Sequence, residues 1–436
     1  MKKIILTMLM SVAALSLVGC APLTFQEPSS LIMPPASTHE EYLERSLINT
    51  YLSDDERLEV PDNMDSAAAY IDLDTNGDGE EEKLVFWSGT NRREVGALLL
   101  AKNSENEWLV SDQIRQYGNA INYFKLVDFN SDGTKEMCFG VDIGGYNVLY
   151  IYSIEGNKLE EIERVNYSLV DIVDLNGKGT YGVLVALNDG GAQTPTSKLY
   201  LYKLIDKLEC VYEKSYDGAC VVLEYGKVAK NQTGVYYVRT SDYSKLNAEL
   251  LLKKVSGGFE EQMTSSFTYL NTASGFSNII KDVDGDGVLD VRTLVAPVED
   301  TKRNVAEFLQ VWKSWDGDVG LDNVYGLIEN ATDGYDLVLP KDWLGTVRYQ
   351  YVTEKNCNQI RIYEGQSDEP VVIYSSALND EKNQTKVPAG SIDLGSSPSR
   401  HYIYYATVNA KTVVGKSLDE KAIKATFQIE GGEVNE

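Results

Sequence analysis

Histidine and cysteine are scarce in this 436-residue chain, which contains two histidines and five cysteines. Zinc sites draw most of their ligands from these two residue types, and a serine–histidine–aspartate triad needs a histidine base. The sequence has no Cys-x-x-Cys pair and no cluster of cysteine with histidine. We therefore expect neither a zinc centre nor histidine-based nucleophilic catalysis.

The cysteines are also too sparse for a disulfide-stabilised scaffold, which packs more of them into a shorter chain. Apart from Cys20, they are Cys138, Cys210, Cys220 and Cys357. Cys210 and Cys220 flank a turn predicted at residues 216–218, and they could pair across adjacent strands. We expect the alternative, in which both are free, half-buried thiols.

Basic residues are few compared with acidic ones, at 40 against 66, and the formal net charge is −26. An acidic surface repels phosphate backbones, so nucleic acid is not an expected partner. The same surface would attract divalent cations.

Long apolar runs are absent after residue 20, and the run before it predicts export. Lys2 and Lys3 give a positive start, and residues 4–18 are almost wholly apolar. A run of this length is too short to span a hydrocarbon core of about 30 Å comfortably, and it is typical of a cleaved signal peptide, here over residues 1–19.

The run Leu17-Val18-Gly19-Cys20 resembles a bacterial lipobox. The resemblance implies that the Cys20 thiol is lipidated and becomes the new N-terminus. Two or more acyl chains would anchor stably, since each buried CH₂ contributes about 0.8 kcal/mol. We therefore expect an exported protein that is lipid-anchored to the outer face of the cell membrane. The alternative is an ordinary signal peptide with a chance cysteine.

The segment after the anchor changes character twice. Residues 20–37 are rich in proline and serine and predict a tether. Residues 38–66 form a lead-in, in which Thr38 and Glu41 resemble a capping box. Leu43, Leu47 and Ile48 then recur at helical spacing, which predicts a helix to about residue 52.

Residues 67–325 contain a β-type repeat. Similar hairpin starts recur at Leu98, Leu149, Leu199, Leu250 and Leu309. The spacing is about 50 residues, and a β repeat of that length with about four strands is the size of one propeller blade. The fold class predicted is therefore mainly β, with a five-bladed β-propeller of four-stranded repeats.

The ends of the repeat region suggest how the ring would close. A strand predicted at residues 67–71 precedes the first complete repeat, and the last repeat lacks a predicted fourth strand. We expect the first strand to complete the last blade. The alternative, an open stack of sheets, would leave two exposed edges.

Residues 326–436 lose the repeat and predict a small α+β C-terminal domain. Strands are expected near residues 347–352, 359–363, 371–374 and 402–408. Ser417 and Glu420 resemble a capping box that opens a last helix, to about Gln428. The run from Tyr335 to Trp343 is similar to a Y-x-I-x-x-P-x-x-W module of surface lipoproteins from anaerobic Gram-positive bacteria.

Three segments of the repeat region share a nine-residue frame with oxygen-bearing side chains at positions 1, 3, 5 and 9 and glycine at position 6. The predicted ligands, with position 7 included for its carbonyl, are Asp74, Asn76, Asp78, Glu80 and Glu82; Asp128, Asn130, Asp132, Thr134 and Glu136; and Asp282, Asp284, Asp286, Val288 and Asp290. Calcium takes roughly six to eight hard oxygen ligands in a forgiving geometry. We therefore predict three structural Ca²⁺ sites; the alternative is a solvated Asx-rich turn.

The other two repeats depart from this frame. In residues 174–182, Lys178 occupies position 5, where its ammonium would replace the ion. Near Glu224–Lys227 the acidic residues are lost. We therefore expect three calcium sites and not five.

The blades and loops together resemble the FG-GAP/VCBS-type repeat family over roughly 260 residues. The resemblance implies an extracellular binding or scaffolding module with structural calcium, and a glycan, peptide or protein as its ligand. A metal ion whose coordination positions are filled by the loop carboxylates has no open position for a substrate. We therefore expect no enzyme. The alternative is a glycoside-processing enzyme, whose two carboxylates would lie roughly 5–9.5 Å apart in the channel. Carboxylates away from the loops with perturbed pKa values would favour it.

Overall fold

The computed structural model describes residues 39–429, except 65, 67, 92, 175–178, 190–193, 242–244, 255–257, 269–278, 299–307, 319 and 381. The predicted signal peptide, Cys20 and the tether lie outside these residues. The chain divides into two compact units, Met1–Asn166 and Tyr167–Glu436. Among the described residues, no helix is long and apolar enough to cross a membrane.

The first unit begins with helix α1, His39–Tyr51, as the helical spacing predicts. Its Ile48 is buried against the first sheet, and Glu44 lies 3.7 Å from the ammonium of Lys83 on that sheet. Lys83 is itself buried and lies 2.5 Å from Asp72. Because a buried lysine needs a charge partner, these two carboxylates hold it in place. Thr38 of the predicted capping box lies outside the described residues.

Two sheets follow, in which the strands from β2 to β5 and from β6 to β9 are each hydrogen-bonded to the next along the chain. In sheet 1, β1 and β2 share one edge of β3. The strands of sheet 1 are β1 (Glu56–Leu58), β2 (Tyr70–Leu73), β3 (Glu82–Gly89), β4 (Glu94–Lys102) and β5 (Trp108–Tyr117). Those of sheet 2 are β6 (Ala120–Val127), β7 (Glu136–Asp142), β8 (Asn147–Glu155) and β9 (Lys158–Tyr167).

The central strands of these sheets are buried on both faces. Successive side chains of a strand point to opposite faces. Val85 accordingly packs towards α1, and Phe86 packs against Phe124 of sheet 2 with ring centroids 4.7 Å apart. Each fully buried large apolar side chain stabilises the fold by about 1.5–3 kcal/mol. The outermost strands β5 and β9 alternate between exposed and partly buried residues instead.

The second unit continues with three more sheets of the same strand order. Sheet 3 contains β10 (Leu169–Asp174), β11 (Tyr181–Asp189), β12 (Thr196–Leu204) and β13 (Leu208–Asp217). Sheet 4 contains β14 (Ala219–Ala229), β15 (Gln232–Thr240), β16 (Lys245–Lys253) and β17 (Phe259–Thr268). Sheet 5 begins with β18 (Ile280–Lys281), β19 (Asp290–Val295), β20 (Leu309–Trp315) and β21 (Leu321–Asn330).

Sheets 3, 4 and 5 pack through the two faces of sheet 4. On one face Tyr237 lies in an apolar cluster with residues of sheet 3, and its ring stacks on Tyr216 at 4.6 Å. On the other face Tyr236 lies in a cluster with Val291 and Trp315 of sheet 5. Sheets 3, 4 and 5 are therefore layered face to face.

The fourth strand of the repeat carries a β-bulge at a corresponding place in four of the sheets. The pairing shifts opposite residues 99/100 of β4, 201/202 of β12, 250/251 of β16 and 312/313 of β20. A bulge increases the local twist of the strand that carries it. Its recurrence identifies the sheets as structural repeats.

The expectation that the first strand completes the last repeat is wrong. Strand β2 pairs with β3 in its own sheet, and β21 supplies the fourth strand of sheet 5. The predicted boundary at residue 325 falls inside β21. Sheet 5 then continues into β22 (Tyr335–Leu339) and β30 (Phe427–Ile429), which pair with each other.

The remaining C-terminal strands form a five-stranded sheet and a short hairpin. Sheet 6 contains β23 (Val347–Glu354), β24 (Cys357–Glu364), β25 (Val372–Leu378), β26 (Ile392–Ser397) and β27 (Tyr402–Val408). The hairpin consists of β28 (Thr412–Val413) and β29 (Lys416–Ser417).

The last helix differs from its prediction at both ends. Helix α2 spans Glu420–Ala425, and its N-cap is Asp419, whose carboxylate accepts a hydrogen bond from the amide of Ala422 at 2.9 Å. Ser417 is therefore not the cap. The helix ends before Gln428 because that residue already pairs in β30.

Cys210 and Cys220 are free thiols, as expected, but neither is half-buried. Cys210 is exposed on β13 of sheet 3, and Cys220 is buried on β14 of sheet 4. Both thiols donate to backbone carbonyls close by in the sequence.

Candidate metal centres

Each of the three predicted loops joins the first two of the four consecutive strands in a repeat: β2 to β3, β6 to β7 and β18 to β19. We call them loop 1 (residues 74–82), loop 2 (residues 128–136) and loop 3 (residues 282–290). Position 1 directly follows β2, β6 or β18, and position 9 is the first residue of β3, β7 or β19. The frame read from the sequence therefore recurs at one place in sheets 1, 2 and 5.

The three loops share one set of hydrogen bonds. The amide at position 6 donates to the carboxylate at position 1, over 3.0 Å for Gly79–Asp74, 2.9 Å for Gly133–Asp128 and 2.8 Å for Gly287–Asp282. The amide at position 5 donates to the side chain at position 3, over 2.8 Å for Asp78–Asn76, 2.9 Å for Asp132–Asn130 and 3.2 Å for Asp286–Asp284.

Two further bonds complete the shared set. The amide at position 7 donates to the carboxylate at position 5, over 2.8 Å for Glu80–Asp78, 2.7 Å for Thr134–Asp132 and 2.7 Å for Val288–Asp286. The amide at position 2 donates to the carboxylate at position 9, over 2.7 Å for Thr75–Glu82, 3.1 Å for Phe129–Glu136 and 3.1 Å for Val283–Asp290. The loops thus have one geometry despite different sequences.

The backbone of each loop is left-handed at two positions, 4 and 6. Position 6 is glycine throughout, as predicted. Position 4 has φ of 76° at Gly77, 62° at Ser131 and 79° at Gly285. This conformation favours glycine because a Cβ is crowded there. The left-handed conformation at position 4 was not predicted from the sequence, although glycine stands there in two of the three loops.

Loop 3 brings its carboxylates closest together. One carboxylate oxygen from each of Asp282, Asp284 and Asp290 lies within 4.8 Å of the others. Unit charges about 4 Å apart repel by roughly 4 kcal/mol at an effective dielectric constant of 20. Asp290 is buried, so water screens its charge poorly. The Ser314 hydroxyl donates a hydrogen bond to its carboxylate at 2.5 Å. A divalent cation would remove this repulsion.

A second observation at loop 3 comes from the neighbouring sheet. The Tyr236 side chain of β15 is fully buried, and its hydroxyl has no hydrogen-bond partner among the described residues. Burial, together with the charge of Asp290, raises the pKa of Tyr236. An unsatisfied buried hydroxyl within electrostatic reach of Asp290 fits a centre that binds an additional group with polar contacts.

Loops 1 and 2 carry an asparagine at position 3 in place of an aspartate. In loop 1 the Asn76 amide donates to Glu82 at 3.2 Å, and in loop 2 the Asn130 amide donates to Asp132 at 2.8 Å. Each asparagine therefore neutralises part of the repulsion internally. All of these side chains offer oxygen atoms, the ligand type that calcium prefers, and the residue set fits the ion in all three loops.

Four loop carboxylates have shifted pKa values, in opposite directions at positions 1 and 5 and at position 9. Backbone amides lower the pKa of Asp74, with Gly77 foremost, and the Thr134 amide lowers the pKa of Asp132. At position 9, burial raises the pKa of Glu136 and of Asp290, and neighbouring loop carboxylates add to the rise. A cation would favour the charged forms of Glu136 and Asp290, which burial disfavours.

The two divergent repeats differ in structure. In sheet 3 the Gly179 amide still donates to Asp174 at 3.2 Å, the bond from position 6 to position 1. Lys178 lies outside the described residues. In sheet 4 the loop is absent: Glu224 and Lys227 lie within β14, which continues to Ala229 and turns directly into β15.

Among the described residues, one carboxylate away from the loops has a raised pKa. Glu224 lies on β14, the first strand of sheet 4, and Asp171 lies on β10, the first strand of sheet 3. Surrounding protein atoms, and then the charge of Asp171, raise the pKa of Glu224 to about 7. Its side chain is nevertheless exposed to solvent, so Glu224 lines a surface that a ligand can reach.

Comparison with known proteins gives structural similarities only. No protein-family model and no curated protein matches the chain. The β-propeller domain of Nup133 from Vanderwaltozyma polyspora is 10% identical, covers 62% of this chain and 71% of its own, and has a TM-score of 0.29. The exotype rhamnogalacturonan lyase YesX is 12% identical, with 77% and 81% covered and a TM-score of 0.30.

Proposed function

We propose that this chain is an exported lipoprotein whose five repeated sheets are the blades of a β-propeller, stabilised by three calcium ions. It acts as a non-enzymatic binding module for an extracellular glycan, peptide or protein. The observation that carries the proposal is the identical hydrogen-bond frame of loops 1, 2 and 3 at one place in three sheets.

The calcium ions are structural in this proposal. They would be held by the side chains at positions 1, 3, 5 and 9 and by the carbonyl at position 7 of each loop. Bound calcium supplies the positive charge that closely spaced carboxylates lack. Each loop supplies all of these ligands. Since position 9 is the first residue of β3, β7 or β19, an ion held there would fix the start of that strand.

The propeller is supported by the chain's own repeats. Five sheets have four consecutive strands in the same order, and four of them share a bulge in the fourth of these strands. Sheets 1 and 2 share one apolar core, and sheet 4 packs on both sheets 3 and 5. Layering of this kind is how blades pack in a propeller.

The binding role is tested with an array of glycans and peptidoglycan fragments, probed with the soluble chain from residue 38 onwards. We expect a defined class of ligand to bind in millimolar calcium and to be lost in chelator, because the blades lose their fixed geometry. Binding that is unaffected by chelator would separate the ligand site from the calcium loops. An array without any bound class would direct the search to protein partners.

Glu224 favours a second candidate function, glycoside processing. A carboxyl group with a pKa of about 7 is suited to proton transfer near neutral pH, and Asp171 is a second carboxylate whose charge acts on it. Polysaccharide cleavage by the wild-type chain that disappears in Glu224→Gln would establish the enzyme. Cleavage that persists in the variant would remove Glu224 from that role.

A further inference from the structure

The hairpin that replaces the metal loop in sheet 4 docks on loop 3 of sheet 5. Only Lys230 and Asn231 separate β14 from β15. The Leu289 amide of loop 3 donates to the carbonyl of Lys227 at 2.8 Å. A Cβ placed on Gly226 would lie 2.8 Å from the Cδ1 atom of Leu289, so the leucine side chain lies directly over this glycine.

A second contact holds the end of the same hairpin. The indole Nε1 of Trp315 donates to the side-chain oxygen of Gln232 at 3.1 Å, and the Gln232 amide donates to the carbonyl of Gly317 at 3.3 Å. Trp315 is buried in the cluster that sheets 4 and 5 share. Residues 226–232, which we call the docking hairpin, therefore contact sheet 5 both at loop 3 and beyond β20.

Loop 3 differs from the other two loops at the residue that makes this contact. Position 8 is Glu81 in loop 1 and Lys135 in loop 2, and both side chains are exposed. In loop 3 it is Leu289, which packs into the apolar cluster around Tyr236. The frame is thus adapted to dock a neighbouring sheet in loop 3.

We propose that loop 3 is a calcium-dependent latch that joins sheet 4 to sheet 5. This inference rests on the proposed calcium function. Position 8 stands between two ligand positions, Val288 and Asp290, so an ion held by both fixes the backbone that presents Leu289. Without the ion, repulsion between Asp284 and Asp290 loosens the same backbone. A sheet that has lost its own metal loop is thereby held by the ion of the next sheet.

The latch is tested by hydrogen–deuterium exchange of the mature chain in calcium and in EDTA, following the docking hairpin and loop 3 separately. At calcium ten times its Kd, we expect exchange in both segments to slow by about tenfold, because binding scales opening by 1 + [Ca²⁺]/Kd. In Leu289→Ala, calcium should still protect loop 3 and should no longer protect the docking hairpin. The matched variant Lys135→Ala, at the same position of loop 2, should change neither response.

The outcomes separate the latch from the metal site. Calcium protection of loop 3 without protection of the docking hairpin in the wild type would overturn the latch and leave the calcium site standing. Exchange that is indifferent to calcium in both segments would overturn both. Leu289→Ala with full protection of the docking hairpin would show that the contact over Gly226 does not transmit the effect.

Discussion

At the scale of single residues, position 9 distinguishes the proposed cation-binding loops from ordinary Asx-rich turns. An Asx-rich turn needs only the bonds from backbone amides to the side chains at positions 1, 3 and 5, and these are present. It does not need a buried carboxylate at position 9, yet Glu82, Glu136 and Asp290 are all buried there. Sequence spacing identified these residues. Their burial could not be predicted, because it depends on the strands that position 9 joins.

Asp286→Ala should lower the free energy of unfolding in calcium and not in EDTA, if loop 3 binds the ion. The variant removes the carboxylate at position 5 of loop 3 and so weakens calcium binding. An ion present at 100 times its Kd stabilises by about 2.7 kcal/mol, so we expect a loss of a few kcal/mol in calcium and little loss in EDTA. Denaturant titration in both buffers measures it.

Lys178→Ala is the control for this experiment, because the sequence predicts that its ammonium replaces the ion in sheet 3. Its cost should be at most about 1 kcal/mol and equal in both buffers. An Asp286→Ala cost that is the same with and without calcium would contradict the sorting of the repeats.

Glu224 should make stability depend on pH in a defined window. Its folded-state pKa is about 7, above the ordinary value of 4.5. The folded state therefore holds a proton that the unfolded state releases, and the stability that this proton contributes is lost as pH rises from about 4.5 to 7. Glu224→Gln should thus gain stability relative to wild type across that window, with a shallow slope because water screens the exposed side chain. Urea unfolding at several pH values measures the difference, and a constant difference would contradict the raised pKa.

At the scale of elements, the sequence predicted the third strand of each repeat, four C-terminal strands, the two helices and the three loops, because alternation, turn residues and the nine-residue frame are local signals. It failed where pairing decides. The pairing of β30 with β22 depends on a partner distant in the sequence. The extension of β14 to Ala229 and the fourth strand of sheet 5 are hairpin pairings with the adjacent strand, which the sequence did not reveal. The helix cap was also misassigned, because Ser417 and Asp419 are residues of similar capping strength and the structure uses Asp419.

The left-handed backbone at position 4 is an element-scale feature with a clean test. A Cβ on Gly285 would meet no atom within 4 Å, so Gly285→Ala adds backbone strain without a clash. We expect a loss of about 1 kcal/mol, because φ is 79° there. Gly145→Ala, also in open space but without a positive φ, should change the unfolding free energy little. Equal effects of the two variants would show that the strain is relieved by movement of the loop.

At the scale of the whole molecule, we propose a lipid anchor, a tether and a calcium-stabilised repeat region. The anchor depends on Cys20. Cys20→Ser should release the protein from membranes or block its processing, and fractionation of cells that express each form detects this. A variant that stays membrane-bound and resists a salt wash would contradict the lipobox interpretation.

Calcium binding to the wild-type mature chain tests the central claim most directly. Calorimetric titration should give three ions per chain, and the melting temperature should rise in millimolar calcium and fall in EDTA, since each ion stabilises the folded state by linkage. The divergent repeats of sheets 3 and 4 should contribute no further sites. A chain that binds no calcium, with a melting temperature indifferent to both calcium and EDTA, would contradict the account.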